Sequence, residues 1–546
     1  MTYSKIISGD LPELTYEIIQ YLRNDISTLY SCILVNRLWC RLTIPLLWED
    51  PFSIKESKNY HFIEIYLKCL NENDKEKLQD YGINKNLFPL NTLLFNYPSF
   101  IKHLNTWDII SIIKLWAITV RNLSTGEIGN QSNQITLQSY PEYDLFKFIY
   151  ESLFKIFIER EANLNTFDIF IFSNDDCDYF NIAFKLILQN QSFIHNIKNL
   201  NLTIYSARIN ITTIIPYLKS INTISSLYYN FYGHGYNPKN FNKIHLSQII
   251  NSQNNLKKIV FDSSRNPINY LFTSLKHSNS SNTLRIITFR KIVFNDTFNE
   301  VFEQLNVLES IHIIDCKALN SFIQQILDIT KPFKLKTLFM KKELPNIDLL
   351  QLLLQKSGNY IENVSFGPLM NNDTKRKSFE LITRYCKKIQ FLELLGFDHQ
   401  NIHSLLLFNL VQNLNYLSIY YIDANLFVLL NLDQILPFKL EYLNLNFFIE
   451  NASDFEIFLR NSRNIFINRL CIKIRMRESV DILPYIKEYI MKKKRVKYLG
   501  FKVKDVDLFS LKDEVKEFEL YNIKVQNYYS SSTEFVYYLK EKCISS

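Results

Sequence analysis

The sequence contains very little glycine, with 10 glycines in 546 residues, whereas globular proteins average roughly 7%. Phosphate-binding loops need glycine where the backbone turns sharply or approaches the ligand closely. Neither GxGxxG nor GxxxxGK followed by Ser or Thr occurs in the chain. Nucleotide-dependent enzymes of these two classes are therefore excluded.

The eight cysteines also lack the spacing of a metal site or a disulfide framework. They are scattered from Cys32 to Cys543 without a CxxC pair. The N-terminus does not show the basic and then apolar pattern of a secretory leader. We therefore expect free thiols and a cytoplasmic or nuclear location.

Neither a strong charge bias nor a long apolar run is present. The net charge of +8 is small for 65.0 kDa, and the basic residues are dispersed, whereas nucleic-acid-binding domains concentrate them in a patch. Residues 109–120 are apolar but contain Lys114 and fall short of the roughly 20 residues that span a bilayer. We expect no nucleic-acid partner and no membrane partner, and we interpret KKKRVK at residues 492–497 as a solvated helix end.

No set of residues in the sequence supports catalysis or predicts a cofactor. His399 and His403 stand beside Asp398, but the glutamate of an HExxH motif is missing, which favours a surface loop. The run NDDCD at residues 174–178 lacks the glycine and terminal glutamate of a calcium loop and is typical of a solvated turn. We predict a protein that is not an enzyme and that has no metal and no cofactor.

What the chain does contain is a repeat over its C-terminal two-thirds. A six-residue unit with apolar residues at positions one, four and six recurs about every 27 residues. Alternation within the unit is typical of a half-buried strand, and the segment from Leu319 to the next unit has apolar residues at helical spacing. The twelve units begin at Ile197, Ile224, Leu256, Leu284, Leu308, Leu335, Ile361, Ile389, Leu414, Leu440, Ile467 and Val496, and a thirteenth candidate begins at Leu164.

Each unit is thus predicted to form one strand and one helix, which bury their apolar faces only by stacking on neighbouring units. This pattern resembles the leucine-rich-repeat family, in its longer helix-containing subclass. The resemblance implies an α/β repeat solenoid, a horseshoe with strands on the concave side and helices on the convex side. The family usually has Asn or Cys at the ninth position of the repeat to bond the loop backbone, and only Cys316 fits that position here.

A separate apolar block lies ahead of the repeats. It is predicted to form three short helices, the first beginning at Pro12 and the next two capped by Asp25 and Asn36. Their apolar residues occupy more than one helix face. Part of this apolar surface is therefore expected to contact a partner.

Residues 11–48 carry an ordered set of motifs. They read LPELTYEIIQYLRNDISTLYSCILVNRLWCRLTIPLLW, with an LP start, an acidic residue before the second helix, then VNRxW and a final LW. This segment resembles an F-box, which implies docking on the Skp-type adaptor of an SCF (Skp, cullin, F-box) ubiquitin ligase. Trp39 is expected to contribute most, because large aromatics dominate interface energetics. By position, the resemblance implies adaptor contacts from Leu11, Pro12, Ile18, Leu22, Leu29, Cys32, Val35 and Trp39.

These features predict three regions in the chain. They are an F-box at residues 8–52, a helical linker at residues 53–144 with a polar loop at 121–144, and a leucine-rich-repeat-like solenoid with a C-terminal cap at residues 145–546. The layout implies a substrate receptor that connects a target protein, through the adaptor and cullin, to ubiquitin-dependent degradation. The alternative is a repeat scaffold that binds its partners without ubiquitin transfer.

The predicted target-binding surface is the concave face of the repeats. In each unit the third and fifth residues, and the residue after the sixth, point away from the helices. An exposed aromatic row backed by basic residues is expected there, and such rows are typical of protein-binding hot spots. Its members are Phe339, Phe391, Tyr416, Tyr420, Tyr442, Arg469, Lys473 and Lys502.

Overall fold

The computed structural model of the chain divides into two compact units, which we describe separately. One unit comprises residues 1–257 and 278–283, and the other comprises residues 258–277 and 284–546. The residues that the structure describes are 11–23, 25–53, 60–84, 87, 92–125, 140–205, 215–231, 247–262, 269–294, 298–368, 371–396, 413–420, 436–437, 439–449, 452–461, 466–476 and 481–530.

The first unit begins with the three predicted helices. Pro12 stands in the first turn of α1, and the Asp25 and Asn36 side chains accept the N–H groups of Thr28 and Trp39 at 3.1 and 2.9 Å. The predicted helix start and both caps are therefore confirmed. The helices of this unit are α1 (Pro12–Tyr21), α2 (Ile26–Ile33), α3 (Arg37–Leu47), α4 (Phe62–Leu67), α5 (Glu72–Asp80), α6 (Thr106–Thr125), α7 (Tyr140–Glu159), α8 (Asn174–Gln189) and α9 (Ile215–Ser220).

The sheet of the first unit starts earlier than predicted. Its strands pair in parallel and in chain order: β1 (His103–Asn105), β2 (Thr166–Ile171), β3 (Asn199–Ile204) and β4 (Ser226–Phe231). Strand β1 lies inside the segment predicted as a linker and therefore precedes residue 145. The sequence pattern missed it because Thr106 stands where the repeat has an apolar residue, and its hydroxyl accepts the N–H of Phe170 at 3.0 Å.

The second unit continues the same alternation of strands and helices. From β5 to β14 each strand pairs in parallel with the next along the chain, while β15 is antiparallel and β16 parallel to β14. The strands are β5 (Lys258–Asp262), β6 (Ile286–Arg290), β7 (Ser310–Ile314), β8 (Leu335–Met340), β9 (Asn363–Phe366), β10 (Phe391–Leu395), β11 (Tyr416–Tyr420), β12 (Tyr442–Ile449), β13 (Ile467–Met476), β14 (Val496–Val503), β15 (Val506–Asp507) and β16 (Lys524–Gln526).

Helices follow most strands of the second unit. All twelve predicted repeat units contain a strand, and so does the candidate at Leu164, where β2 begins at Thr166. The prediction of an α/β repeat fold is therefore confirmed, and the structure adds that neighbouring repeat strands pair in parallel. These helices are α10 (Asn269–Ser274), α11 (Asn299–Gln304), α12 (Leu319–Leu327), α13 (Ile347–Ser357), α14 (Asn372–Tyr385), α15 (Ala452–Asn461), α16 (Leu483–Ile486) and α17 (Lys512–Leu520).

In each unit, helices cover one side of the strands through aromatic rings. Phe167 of β2 stacks on Phe180 of α8, and Phe289 of β6 meets Phe302 of α11 at 6.4 Å between ring centroids. Side chains alternate along a strand, so the strand residues next to Phe167 and Phe289 point to the opposite side of the sheet. We call that opposite side the far face. Cys316, at the predicted ninth position, is buried and its thiol donates to the carbonyl of Phe289 at 3.4 Å.

A repeated hydrogen-bond pattern links the three helices to the first sheet. At the start of several strands, one backbone carbonyl accepts two successive N–H groups from the next repeat. The carbonyl of Glu49, just after α3, accepts Lys102 and His103 in the same way at 3.0 and 3.1 Å. The turn after α3 therefore takes the place of a repeat ahead of β1. Other carbonyls with this double role belong to Lys102, Asn165, Lys198, Arg285, Glu362, Gln390 and Asn415.

Two local expectations are corrected. Residues 174–178, predicted as a turn, form the first turn of α8, because Ser173 and Asp176 cap each other's backbone N–H groups. Both ends of the polar loop predicted at 121–144 are helical, since α6 extends to Thr125 and α7 begins at Tyr140. Residues 126–139, like the His399 and His403 pair, lie outside the described residues.

Candidate partner-binding surfaces

The three N-terminal helices pack around a small apolar core. Ile19, Leu29 and Leu46 form its centre, and Leu22, Trp39, Leu42 and Leu47 pack around them. Such a core is small, so each of its members accounts for a large share of the apolar surface that holds the three helices together.

The predicted adaptor-binding residues divide into surface and core. Leu11 and Val35 are 39% and 44% exposed, and Pro12 is also exposed. Leu29 and Cys32 are only 1% and 4% exposed, and Leu29 lies in the core between the three helices. Neither side chain offers a partner much surface in this structure, and their role as adaptor contacts stays a prediction. The half-buried members are Ile18, Leu22 and Trp39.

Several exposed apolar side chains near these residues were not predicted as contacts. Ile26, Tyr30 and Leu34 are exposed and follow one another at four-residue intervals, so they lie along one side of α2 and its end. Leu14 and Tyr16 on α1 are exposed as well. The four-residue spacing was present in the sequence and is the signal that would have identified the α2 row.

The three helices are firmly joined to the first sheet at Glu49. Its buried carboxylate lies 3.1 Å from the Arg23 guanidinium and 2.7 Å from the Lys102 ammonium. Trp48 adds ring contacts with Tyr66 and Tyr97, whose centroids are 5.4 and 4.4 Å away. Separating the three helices from the first strands would take the Lys102 ammonium away from this buried carboxylate, which costs free energy.

The aromatic row predicted on the repeats is buried, which corrects the expectation that it is exposed. Phe339, Phe391, Tyr416 and Tyr442 lie on the far face as predicted, yet none is more than 9% exposed. They form one cluster with Ile314, Cys471 and Tyr528. Tyr420 is half-buried and its hydroxyl accepts the amide of Asn444 at 3.4 Å.

Polar residues of the far face are also largely closed to solvent. They pair across neighbouring strands: Arg290 with Asp262 at 2.7 Å, and Ser365 with Glu393 at 2.6 Å. Burial costs little when the polar groups are hydrogen-bonded to one another. This part of the far face therefore resembles a protein interior, and little of its surface is accessible to a partner.

The basic residues of the predicted surface remain accessible. Arg469, Lys473 and Lys502 are half-buried. The Arg469 guanidinium lies 5.1 Å from the ring centroid of Tyr498, and Lys473 donates to the hydroxyl of Tyr529 at 3.1 Å. The accessible part of the predicted target surface is thus its basic end on β13 and β14.

In the first unit, the pKa of one far-face carboxyl, Asp168, is shifted. Burial raises the pKa of Asp168 to about 7, although the amide of Asn201, 2.5 Å away, opposes the shift. The charges of Asp50 and Asp108 raise this pKa further. The folded protein therefore holds a proton on Asp168 that the unfolded chain releases near pH 4.

We expect Asp168→Asn to stabilise the protein above neutral pH. Between about pH 4 and pH 7 the native state binds more protons than the unfolded state, so stability falls as pH rises through this window. Asparagine at this position cannot lose a proton, so it removes this loss and should raise the free energy of unfolding at pH 8 by about 4 kcal/mol. Urea unfolding of both proteins at about pH 5 and pH 8 measures the effect. Exposed Asp80→Asn is the control, and an equal gain there would contradict the assignment.

Comparisons with known proteins give no identification. No family model matches the chain, and no curated protein sequence matches it significantly. In the described part of the chain, no three His, Cys, Asp or Glu side chains are arranged to hold a metal ion. Nor is any described helix long and apolar enough to cross a bilayer.

Proposed function

We propose that this protein is the non-catalytic substrate-recognition subunit of an SCF-type ubiquitin ligase. In this proposal residues 11–48 act as an F-box that docks on a Skp-type adaptor, which connects the protein to cullin. The repeats act as a leucine-rich-repeat horseshoe whose concave face holds a target protein. The receptor contributes binding and orientation, while the ubiquitin-conjugating enzyme supplies the chemistry.

The observation that carries the proposal is the concentration of exposed apolar side chains on the three helices. Eight of the 21 exposed large apolar side chains in the described chain lie between Leu11 and Val35. Apolar area left in contact with water costs roughly 25 cal/mol per Å². A cluster of this density is typical of a surface that a partner covers.

The joint at Glu49 gives a second argument for a receptor. Transfer to a lysine of the target requires that the adaptor end and the target end keep a defined geometry. Glu49 fixes the three helices on the first strand of the same unit, because its carboxylate contacts Arg23 and Lys102 and its backbone carbonyl accepts two N–H groups beside β1. A flexible tether between the three helices and β1 would not fix their orientation in this way.

Docking should be lost when charge is placed on the exposed apolar residues at the end of α2. We expect the Leu34→Asp, Val35→Asp double variant to retain less than about a tenth of the adaptor in co-purification with the organism's Skp-type protein, since charge in an apolar contact costs several kcal/mol. Both side chains are exposed, so the fold should tolerate the changes. Leu520→Asp is the control, because Leu520 is 82% exposed, close to the 86% of Leu34, but lies on α17 in the second unit.

Two outcomes would count against the proposal. If the double variant keeps the adaptor at the wild-type level, the exposed residues at the end of α2 are not part of the docking surface. If the wild-type chain binds no adaptor, the alternative of a repeat scaffold without ubiquitin transfer is favoured. In that case, inhibition of cullin would leave the half-life of any bound partner unchanged.

A further inference from the structure

The last described residues of the chain lie on the far face of the second unit. The backbone N–H of Tyr528 donates to the Asp507 carboxylate at 3.0 Å, and its hydroxyl donates to Asn444 at 3.3 Å. The Tyr528 ring is 2% exposed and belongs to the cluster that contains Tyr442 and Cys471. The chain therefore places one of its own aromatic side chains in an aromatic site that β12 and β13 help to form.

The neighbouring residue makes a different kind of contact. The Lys473 ammonium lies 3.1 Å from the hydroxyl of Tyr529, and the ammonium groups of Lys473 and Lys502 are 5.0 and 4.7 Å from the centre of its ring. These lysines lower the pKa of the Tyr529 hydroxyl, chiefly through the hydrogen bond from Lys473. Tyr529 is 50% exposed, so this second position is open to solvent.

The two lysines place positive charge side by side. Lys473 of β13 and Lys502 of β14 are register partners in the sheet, and like charges in such positions repel each other. Among the described residues, neither lysine forms an ion pair with a carboxylate. Asp507 stands opposite Lys502, but its two oxygens accept the backbone N–H groups of Phe509 and Tyr528. The neutral hydroxyl of Tyr529 thus holds a position better suited to an anion.

We propose that this part of the far face is a binding site for a partner segment in which an aromatic residue is followed by an anionic one. The aromatic side chain takes the position of Tyr528, and the anionic group is bound by Lys473 and Lys502. Tyr528 and Tyr529 occupy the site until a partner displaces them. The statement that this partner is the target of a ubiquitin ligase rests on the proposed function, whereas the site itself does not.

Peptide titration of the full-length chain tests the site. The probe is a fluorescent peptide of residues 525–533, VQNYYSSST, in three forms: unmodified, phosphorylated on the second tyrosine, and phosphorylated with the first tyrosine replaced by alanine. The proteins are the wild type and the Tyr528→Ala, Tyr529→Ala double variant. An attached segment competes at an effective concentration in the millimolar range, so we expect the double variant to bind the phosphorylated peptide about tenfold or more tightly than the wild type does.

Two lysine pairs separate the proposed contacts from general attraction between charges. Lys473→Ala with Lys502→Ala, added to the double variant, should remove the gain in affinity that phosphorylation gives. Lys512→Ala with Lys516→Ala removes the same charge from α17, where both lysines are exposed, and should preserve that gain. The peptide with alanine in place of the first tyrosine should bind about tenfold or more weakly, because it lacks the buried ring.

The inference is overturned if the double variant and the wild type bind the phosphorylated peptide equally. It is also overturned if the two lysine-pair variants change the gain in affinity from phosphorylation equally. Hydrogen exchange of the wild type gives an independent reading, since a saturating peptide should speed exchange at residues 524–530 and unchanged exchange contradicts displacement. No adaptor is present in these mixtures. A failed titration therefore counts against this site alone, and failed co-purification with the adaptor counts against the ubiquitin-ligase role alone.

Discussion

Acidification from about pH 6.5 to pH 4 should lower the free energy of unfolding of the second unit by about 3 kcal/mol through His312 alone. Burial lowers the pKa of this imidazole to about 3, and the charges of Lys258 and Lys336 lower it further. The unfolded chain takes up the proton near pH 6.5, whereas the folded chain resists it until about pH 3. The unfolded state thus binds more protons across this window, and stability falls as pH falls.

The surroundings of His312 explain why its imidazole stays neutral in the folded chain. Its Nδ1 lies 2.8 Å from the Thr337 hydroxyl and its Nε2 lies 3.3 Å from the Ser310 hydroxyl, in a place that is 3% exposed. These neutral hydroxyls satisfy a neutral ring through hydrogen bonds. They supply no negative charge to balance an imidazolium, and the cost of desolvating that charge is then uncompensated.

The slope of stability against pH is the quantity to measure. Urea unfolding at several values between about pH 7 and pH 4 should give a slope in the wild type that is steeper than in His312→Gln by up to 1.36 kcal/mol per pH unit. The slope is informative even if the variant is less stable at every pH, because it depends on the difference in the number of bound protons between the unfolded and folded states. Exposed His195→Gln serves as the control. Equal slopes in the wild type and His312→Gln would contradict the prediction.

The repeat was predictable from the sequence because a strand with one buried face leaves a two-residue period. Leu392 and Leu394 show it, and β10 covers Phe391–Leu395 as the pattern requires. Strand β1 was missed for an equally local reason. Thr106 breaks the apolar pattern, and its hydroxyl compensates through a hydrogen bond with Phe170, 64 residues away.

The solvent exposure of the far face was not predictable. Alternation along a strand indicates which side of the sheet a residue points to, but it does not indicate whether that side is buried. Tyr442 was placed correctly on that side, yet its burial depends on neighbours far along the chain. Tyr528 reaches Asn444 across 84 residues. A contact of that separation leaves no periodic signal in the sequence.

The N-terminal helices show the same limit on a smaller scale. Helical spacing groups Leu29 with Ile26 and groups Cys32 with Val35, but it does not tell which residues of each group turn toward α1 and α3. Leu29 and Cys32 turn inward, and Ile26 and Val35 stay exposed. The choice depends on how the three helices cross, which is a property of their packing and is not encoded in one helix alone.

Gly367→Ala should destabilise the second unit by about 4 kcal/mol or more, in the range that single substitutions rarely reach. A Cβ at Gly367 would lie 1.9 Å from the carbonyl oxygen of Lys341 and 2.5 Å from its carbon, and both are backbone atoms. The Gly367 N–H also donates to the carbonyl of Met340 at 3.2 Å, so the clash is relieved only by moving the turn after β9 away from the end of β8.

Two other glycines provide a graded comparison for this variant. Gly358→Ala brings the new Cβ to 2.8 Å from the Tyr385 carbonyl and should cost less, and Gly82→Ala has open space around it. Gly82 has a φ of +81°, so its substitution costs about 1 kcal/mol for the left-handed backbone alone. Urea unfolding of the three variants should rank Gly367→Ala as most destabilised and Gly82→Ala as least. A Gly367→Ala protein as stable as Gly82→Ala would mean that β8 and β9 do not approach each other this closely at their ends.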